Sequence, residues 1–151
     1  MLGDSYPPSA FYFKVLFNTT KGLVDTSFQE VSGIKATIET ETYTELGENG
    51  SVYQLPKAPS YSNLILKRGI ASITSPLVRW CSSIFEGDFS SPLEPTDMMV
   101  YLMNEYKVPI RSWNIKQAFP VSWDVDAFNA SDNKVAIETF ELRYTSFSRM
   151  T

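Results

Sequence analysis

A chain of 151 residues, 43% apolar and 20% charged, is long enough to bury one core and short for two domains. Its net charge is −4 and its 13 Lys and Arg residues are scattered, so no basic footprint for sequence-specific nucleic-acid binding stands out. It has no histidine, which excludes Ser-His-Asp, Cys-His and His-zinc chemistry, and one cysteine, Cys81, which excludes an intrachain disulfide.

The N-terminus lacks a basic segment followed by an apolar run, so the expectation is a chain without a signal peptide, made in the cytoplasm. No stretch approaches the ~18 apolar residues of a membrane helix. Residues 1–9 are polar and Pro-rich and read as a loose arm. Phe11 to Phe17 is aromatic and β-branched, with Phe11, Phe13, Val15 and Phe17 on one face, and reads as a strand with a dry side. Asn18 to Gly22 is turn chemistry, and Phe28 to Val31 reads as a short strand ending in a bend at Ser32-Gly33.

From Ile34 to Thr44 the sequence alternates. Ile34, Ala36, Ile38 and Thr40 fall on one face, and Lys35, Thr37, Glu39 and Glu41 on the other, so the polar face requires water. The stretch 44–61 carries Gly47, Asn49, Gly50, Pro56 and Pro59 and is too long for an ordinary connection, so it predicts a projecting hairpin or arm. Asn63 to Ile73 is strand-like. Ser75 and Pro76 then start a helix over 75–86, with Leu77, Trp80, Cys81, Ile84 and Phe85 on its apolar face and Gly87 as its end. A Ser/Pro-rich connection leads to strands over 97–104, 111–119 and 121–125, a polar loop over 126–134, and a last long strand over 135–147 whose wet face carries Thr139, Glu141, Arg143 and Thr145. The expected fold is mainly β: one domain over 1–151, seven or eight strands and one helix, in a barrel or sandwich of packed antiparallel sheets.

No candidate chemistry survives inspection. Glu39 and Glu41 lie two apart on one strand, about 7 Å between side chains, but a carboxylate pair on one flat face lacks the opposed walls of a glycosidase cleft. Asp124-Val-Asp126-Ala-Phe-Asn129 lacks the oxygen ligand, the glycine and the glutamate of a calcium loop. Cys81 lies between apolar helix residues and reads as a buried, inert thiol. Asn18, Asn49 and Asn129 begin glycosylation-type triplets, which mean little without a secretory leader. Trp80, Trp113 and Trp123 either stack on a sugar, as in a carbohydrate-binding module, or pack in core and interface. The expectations are no catalytic residue, no cofactor and no metal.

Several blocks in order resemble the phage tail tube protein family, which includes the inner tubes of contractile phage tails and extracellular contractile injection systems. They are Tyr6-Pro-Pro-Ser-Ala-Phe-Tyr-Phe-Lys-Val15, Phe28-Gln-Glu-Val-Ser-Gly-Ile34, Leu55-Pro56 with Tyr61-Ser-Asn-Leu-Ile-Leu-Lys-Arg-Gly69, Trp80, Leu102-Met-Asn-Glu105, Trp113, Ala118-Phe-Pro-Val-Ser-Trp123, Phe128-Asn-Ala130 and Asn133 to Glu138. The chain departs from the pattern in Ile70 to Pro76 and in a longer connection from Gly87 to Pro95. The resemblance implies a tail-tube β-barrel or sandwich with a flanking helix, a homohexameric ring whose sheets join around a lumen, and ring-on-ring stacking. It also implies sheath, baseplate or spike and tube-cap proteins as partners, a lumen open to cargo, and residence in a phage tail or tail-like particle. Within it, Lys35, Thr37, Glu39, Glu41, Thr139, Glu141 and Arg143 are candidates for the lumen wall. Gly47, Asn49, Gly50, Tyr53, Leu55 and Pro56 are candidates for an arm between subunits or rings. A tube-end adaptor joining tube to baseplate is the alternative role, and a sugar-binding sandwich the alternative class.

Overall fold

A computed structural model describes residues 11–17, 23–44, 52–69, 75–87, 95–126 and 136–151. Its strands are β1 (Tyr12–Phe17), β2 (Leu23–Phe28), β3 (Glu30–Ser32), β4 (Ala36–Thr37), β5 (Thr40–Thr44), β6 (Val52–Pro56), β7 (Ser60–Tyr61), β8 (Leu64–Gly69), β9 (Thr96–Met103), β10 (Pro109–Val125), β11 (Ile137–Arg143) and β12 (Ser146–Arg149). One helix, α1 (Pro76–Phe85), lies between β8 and β9. The fold is mainly β and antiparallel, as the alternation predicts.

Eight strands are joined: seven follow the path β2-β1-β9-β10-β11-β8-β3, and β12 lies off it on β10. The path folds over because β10 serves two sheets. Its first half pairs with β9 and β12, and its second half, from Phe119, pairs with β11. The turning point is Gln117, whose φ of 53° is left-handed, in a register break between Ile115 and Ala118. Asp97 Oδ1 accepts the freed Gln117 N–H at 3.0 Å, so the kink leaves no orphaned donor there. At the other corner the chain passes from β2 to β3 through Gln29, whose N–H donates to Lys67 O at 2.9 Å. The result is sheet A (β2-β1-β9-β10-β12) facing sheet B (β10-β11-β8-β3).

Between them lies the core: Val15, Phe17, Phe28, Leu64, Leu66, Leu77, Cys81, Met98, Val100, Ile115, Phe140 and Leu142. Strand period two puts Leu64, Leu66 and Arg68 of β8 inward, and Glu138, Phe140 and Leu142 of β11 inward beside them. Helix α1 closes one end. Its cap, Ser75, accepts from Val78 N–H, and Leu77 N–H donates to Asp25 of β2 at 2.7 Å. Asp25 also forms a buried ion pair with Arg68, and Ser75 Oγ bridges the two, accepting from Arg68 Nη2 at 2.7 Å and donating to Asp25 Oδ2 at 2.8 Å. The Arg68 guanidinium lies 4.6 Å from the Phe28 ring centroid, a cation–π contact that offsets desolvation.

Several boundaries differ from those read in the sequence. The strand expected over Phe28–Val31 is two strands meeting at Gln29. The alternating run 34–44 breaks at Ile38-Glu39, and the last strand breaks at Tyr144-Thr145, where the chain leaves sheet B for sheet A. Phe11 is 46% exposed instead of dry. On α1 only Leu77, Val78 and Cys81 are buried, and Phe85 is exposed. Gly87 is not left-handed; a Cβ there would come within 2.5 Å of Ser83 O, so glycine serves close approach. The N-terminal arm, the 88–94 connection, most of the polar loop over 126–134 and the three Asn triplets lie outside the described residues.

Candidate assembly site

The residues between Gly33 and Asn63 leave the sandwich. β4 pairs with β7 and β5 with β6, and neither pair is hydrogen-bonded to the main sheet. Together they make a ribbon from residues 36–44 and 52–61, which overlaps the stretch 44–61 expected to project as an arm; residues 45–51 of that stretch lie outside the described residues. Its root is tightly built. Gly33 has φ +87°, and a Cβ there would lie 1.8 Å from Asn63 O, so only glycine fits. Tyr144 OH donates to Gly33 O at 2.8 Å, and burial of its phenol raises its pKa. The Tyr61 ring packs 5.7 Å from Tyr144 and 5.5 Å from Phe147.

Beyond the root both faces of the ribbon are open. Ala36 to Tyr43 and Gln54 to Ser60 are exposed throughout, including Ile38 at 56%, Tyr43 at 53% and Leu55 at 48%. A two-stranded ribbon without a covered face is marginal in water. Local polar ties hold this one: Lys57 N–H donates to Glu39 O at 2.7 Å, Lys57 Nζ lies 3.6 Å from Glu41 Oε1, and Gln54 Nε2 donates to Thr42 Oγ1 at 3.1 Å. Exposed ion pairs of this kind are worth under about 1 kcal/mol.

The seven lumen candidates therefore separate. Lys35 stands exposed at the ribbon root, its carbonyl accepting from Ser62 N–H, and Thr37, Glu39 and Glu41 lie on the ribbon. Thr139, Glu141 and Arg143 lie together on the outer face of sheet B. There the register sets Glu30, Lys67, Thr139 and Asp124 side by side across four strands, with Ser32, Ile65, Glu141 and Ser122 in the next row. Lys67 pairs with Glu30 at 3.6 Å, while Asn63 donates to Glu141 Oε1 at 2.8 Å and accepts from Arg143 at 3.2 Å. This face is hydrophilic and its charges are mostly tied to neighbours. Glu30, Lys67 and Asp124 escaped the sequence reading, although the alternation on Leu64 to Gly69 carries the signal for Lys67.

Of the arm candidates, Leu55 and Pro56 are exposed on β6, and Tyr53 is placed by its backbone pairing with Tyr43. Gly47, Asn49 and Gly50 lie outside the described residues. The three tryptophans do not form a sugar platform: each packs against the core, Trp80 lies 5.7 Å from the Phe17 ring, and Trp123 Nε1 donates to buried Glu138 at 2.8 Å. Burial pushes the Cys81 thiol pKa up to about 12, with Glu138 adding to the rise, so it is no nucleophile. Among the described residues no cluster of His, Cys, Asp or Glu has metal-binding geometry, and no helix is long and apolar enough to cross a membrane.

The sequence matches a known family over residues 9–148, that of the T4-like virus tail tube protein gp19. The chain belongs to this tail tube family. Among solved structures, it is similar to a chain of the anti-feeding prophage baseplate, with TM-score 0.74 and 26% identity, covering 98% of this chain and 97% of that one. A chain of the sheath-tube complex of an extracellular contractile injection system, in its extended state, aligns with TM-score 0.74 and 20% identity over 99% and 94% of the two chains. A chain of the anti-feeding prophage tube-terminating cap aligns with TM-score 0.73 and 22% identity over 100% and 94%. No curated protein matches by sequence. The chain is thus a tail tube-type structural protein of a phage tail or contractile injection system, with relatives of its fold at both tube and cap positions.

Proposed function

We infer that this tail tube protein is a subunit of the hexameric inner tube of a contractile injection system or contractile phage tail, and that it carries no catalytic residue. The observation that supports this best is the ribbon. It holds Ile38, Tyr43 and Leu55 in water and packs neither face on its own sandwich, an arrangement suited to contact with another copy.

The edges of sheet B suit ring closure. Among the described residues β3 is paired only with β8, and the second half of β10 only with β11. β10 bulges at Val121 and carries Pro120, which tolerates an edge and not a strand centre. Joining β3 of one copy to β10 of the next removes both edges and turns six sheets B into one wall. In this reading Glu30, Lys67, Asp124, Thr139, Glu141 and Arg143 line a wetted lumen open to cargo. The ribbon residues Lys35, Thr37, Glu39 and Glu41 serve contacts between subunits. Sheath, baseplate or spike, and cap proteins are the partners of the remaining surfaces.

Electron microscopy of the purified protein tests this. Rings that stack into tubes of unlimited length are expected. Rings that never stack would assign the chain to the tube end as an adaptor, and monomers at every concentration would sink the assembly reading. For the lumen, cysteines placed at Thr139 or Glu141 should react with small maleimides in assembled tubes; protection by subunit contacts overturns that assignment.

A further inference from the structure

The ribbon leaves the sandwich at one aromatic joint. The rings of Tyr61, Tyr144 and Phe147 meet in a triangle, with centroids 5.7 Å apart for Tyr61–Tyr144, 5.5 Å for Tyr61–Phe147 and 6.2 Å for Tyr144–Phe147. Tyr61 ends β7 and is the ribbon's own ring, whereas Tyr144 and Phe147 belong to the sandwich. Aromatic pairs accept a range of tilts, so ring packing holds the ribbon's place better than its angle.

The Tyr144 hydroxyl adds direction. It donates to Gly33 O at 2.8 Å, and the same carbonyl accepts Lys35 N–H at 2.9 Å, so both of its lone pairs are used. Gly33 is where the chain turns out of sheet B, with φ +87°. Among the described residues this is the one side-chain hydrogen bond from the sandwich to residues 33–44. Tyr144 is itself held fast. It is 6% exposed in the core cluster, and its neighbour Thr145 donates to Lys116 O of β10 from N–H at 3.0 Å and from Oγ1 at 3.2 Å. A fixed donor therefore grips the carbonyl at the ribbon's bend. The returning strand is tied through the Asn63 side chain, whose bonds to Glu141 and Arg143 lie on the wet face of sheet B, where water competes for them.

We propose that Tyr144 is the positioning residue of the ribbon: its hydroxyl fixes the angle at which the ribbon stands off the sandwich in the free subunit, before any neighbour touches it. The benefit is entropic. A ribbon with no covered face otherwise samples many angles, and that freedom must be given up when the subunit joins a particle. This benefit rests on the tube reading; the angle itself does not.

Spin labels on Thr42→Cys of the ribbon and Val24→Cys of β2, both exposed positions, read the distance from ribbon to sandwich in free subunits; Cys81 is buried and stays unlabelled. Doubly labelled copies are diluted with unlabelled chain, so only distances within one copy are read. The labelled parent should give one narrow distance distribution. Tyr144→Phe, which keeps the ring and loses only the hydroxyl, should widen it at least two-fold, while Tyr61→Phe should keep the parent width. No widening in Tyr144→Phe, equal widening in Tyr61→Phe, or a parent already as wide as the variant overturns the proposal. A melt of Tyr144→Phe without a cooperative transition makes the residue a support of the core and overturns it equally. In assembly, Tyr144→Phe should need about five-fold more protein to form rings, the worth of one such hydrogen bond. Widening without that shift overturns the role in assembly. A parent chain that forms no ring sinks the tube reading, and the spin labels then decide the angle alone.

Discussion

Asp25 and Arg68 are the residues on which the interior depends most. Each is about nineteen-twentieths buried, and the Asp25 carboxylate holds the Arg68 guanidinium, the Ser75 hydroxyl and the first turn of α1 at once. Asp25→Ala should cost about 3–5 kcal/mol, because it takes the carboxylate away from a buried cation and a helix terminus together; urea unfolding of rings dissociated to subunits measures it. Cys81 gives the residue-scale pH dependence. Its thiol keeps its proton in the fold until about pH 12, whereas the unfolded chain loses it near 9.0. The folded state therefore binds the extra proton between those values, and this group makes stability fall as pH rises through them. At pH 8 a thiol reagent should modify Cys81 only after unfolding; a native reaction at the rate of a free thiol would contradict its burial. Cys81 was readable from helix spacing. Asp25 and Arg68 were not, since they lie 43 positions apart and only the β2–β8 approach pairs them.

Among the elements, β10 and the ribbon carry the architecture. β10 changes sheets at Gln117, a left-handed residue tied to Asp97. Gln117→Val should cost about 1–2 kcal/mol, because a β-branched side chain is strained there, while Gln117→Gly should be tolerated; thermal melts of the two variants compare them. On the ribbon, Ile38→Asp with Leu55→Asp should leave subunit stability within about 0.5 kcal/mol, since both side chains are already exposed. The same pair should abolish stacking, as read by sedimentation. A large loss of subunit stability would show that the ribbon is part of the core. The Gly and Pro spacing predicts an arm over 44–61, and the alternation over 34–44 predicts a strand with Ile34, Ala36 and Ile38 on one face. Period two reports which side chains share a face. It does not report whether any layer lies over that face, and here none does among the described residues.

At the scale of the whole molecule, sheet B offers open edges and the ribbon offers uncovered faces, so stability should be coupled to assembly. The unfolding midpoint should rise with protein concentration across the range where rings form, by mass action; a midpoint independent of concentration would mean that the subunit is complete alone. By itself the sequence determined the mainly β class, the capped helix near residue 75, the inert thiol and the lack of histidine chemistry, because composition and short-range periodicity act locally. Its ordered blocks also marked the tail tube family, now shown over residues 9–148. Only the tertiary structure decided that Lys35 to Glu41 and Thr139 to Arg143 belong to different surfaces, that Glu30, Lys67 and Asp124 join the second of these, and that Tyr144 reaches Gly33 at the ribbon root. Those facts depend on strand order and register across residues far apart in the chain, which alternation within one strand leaves open.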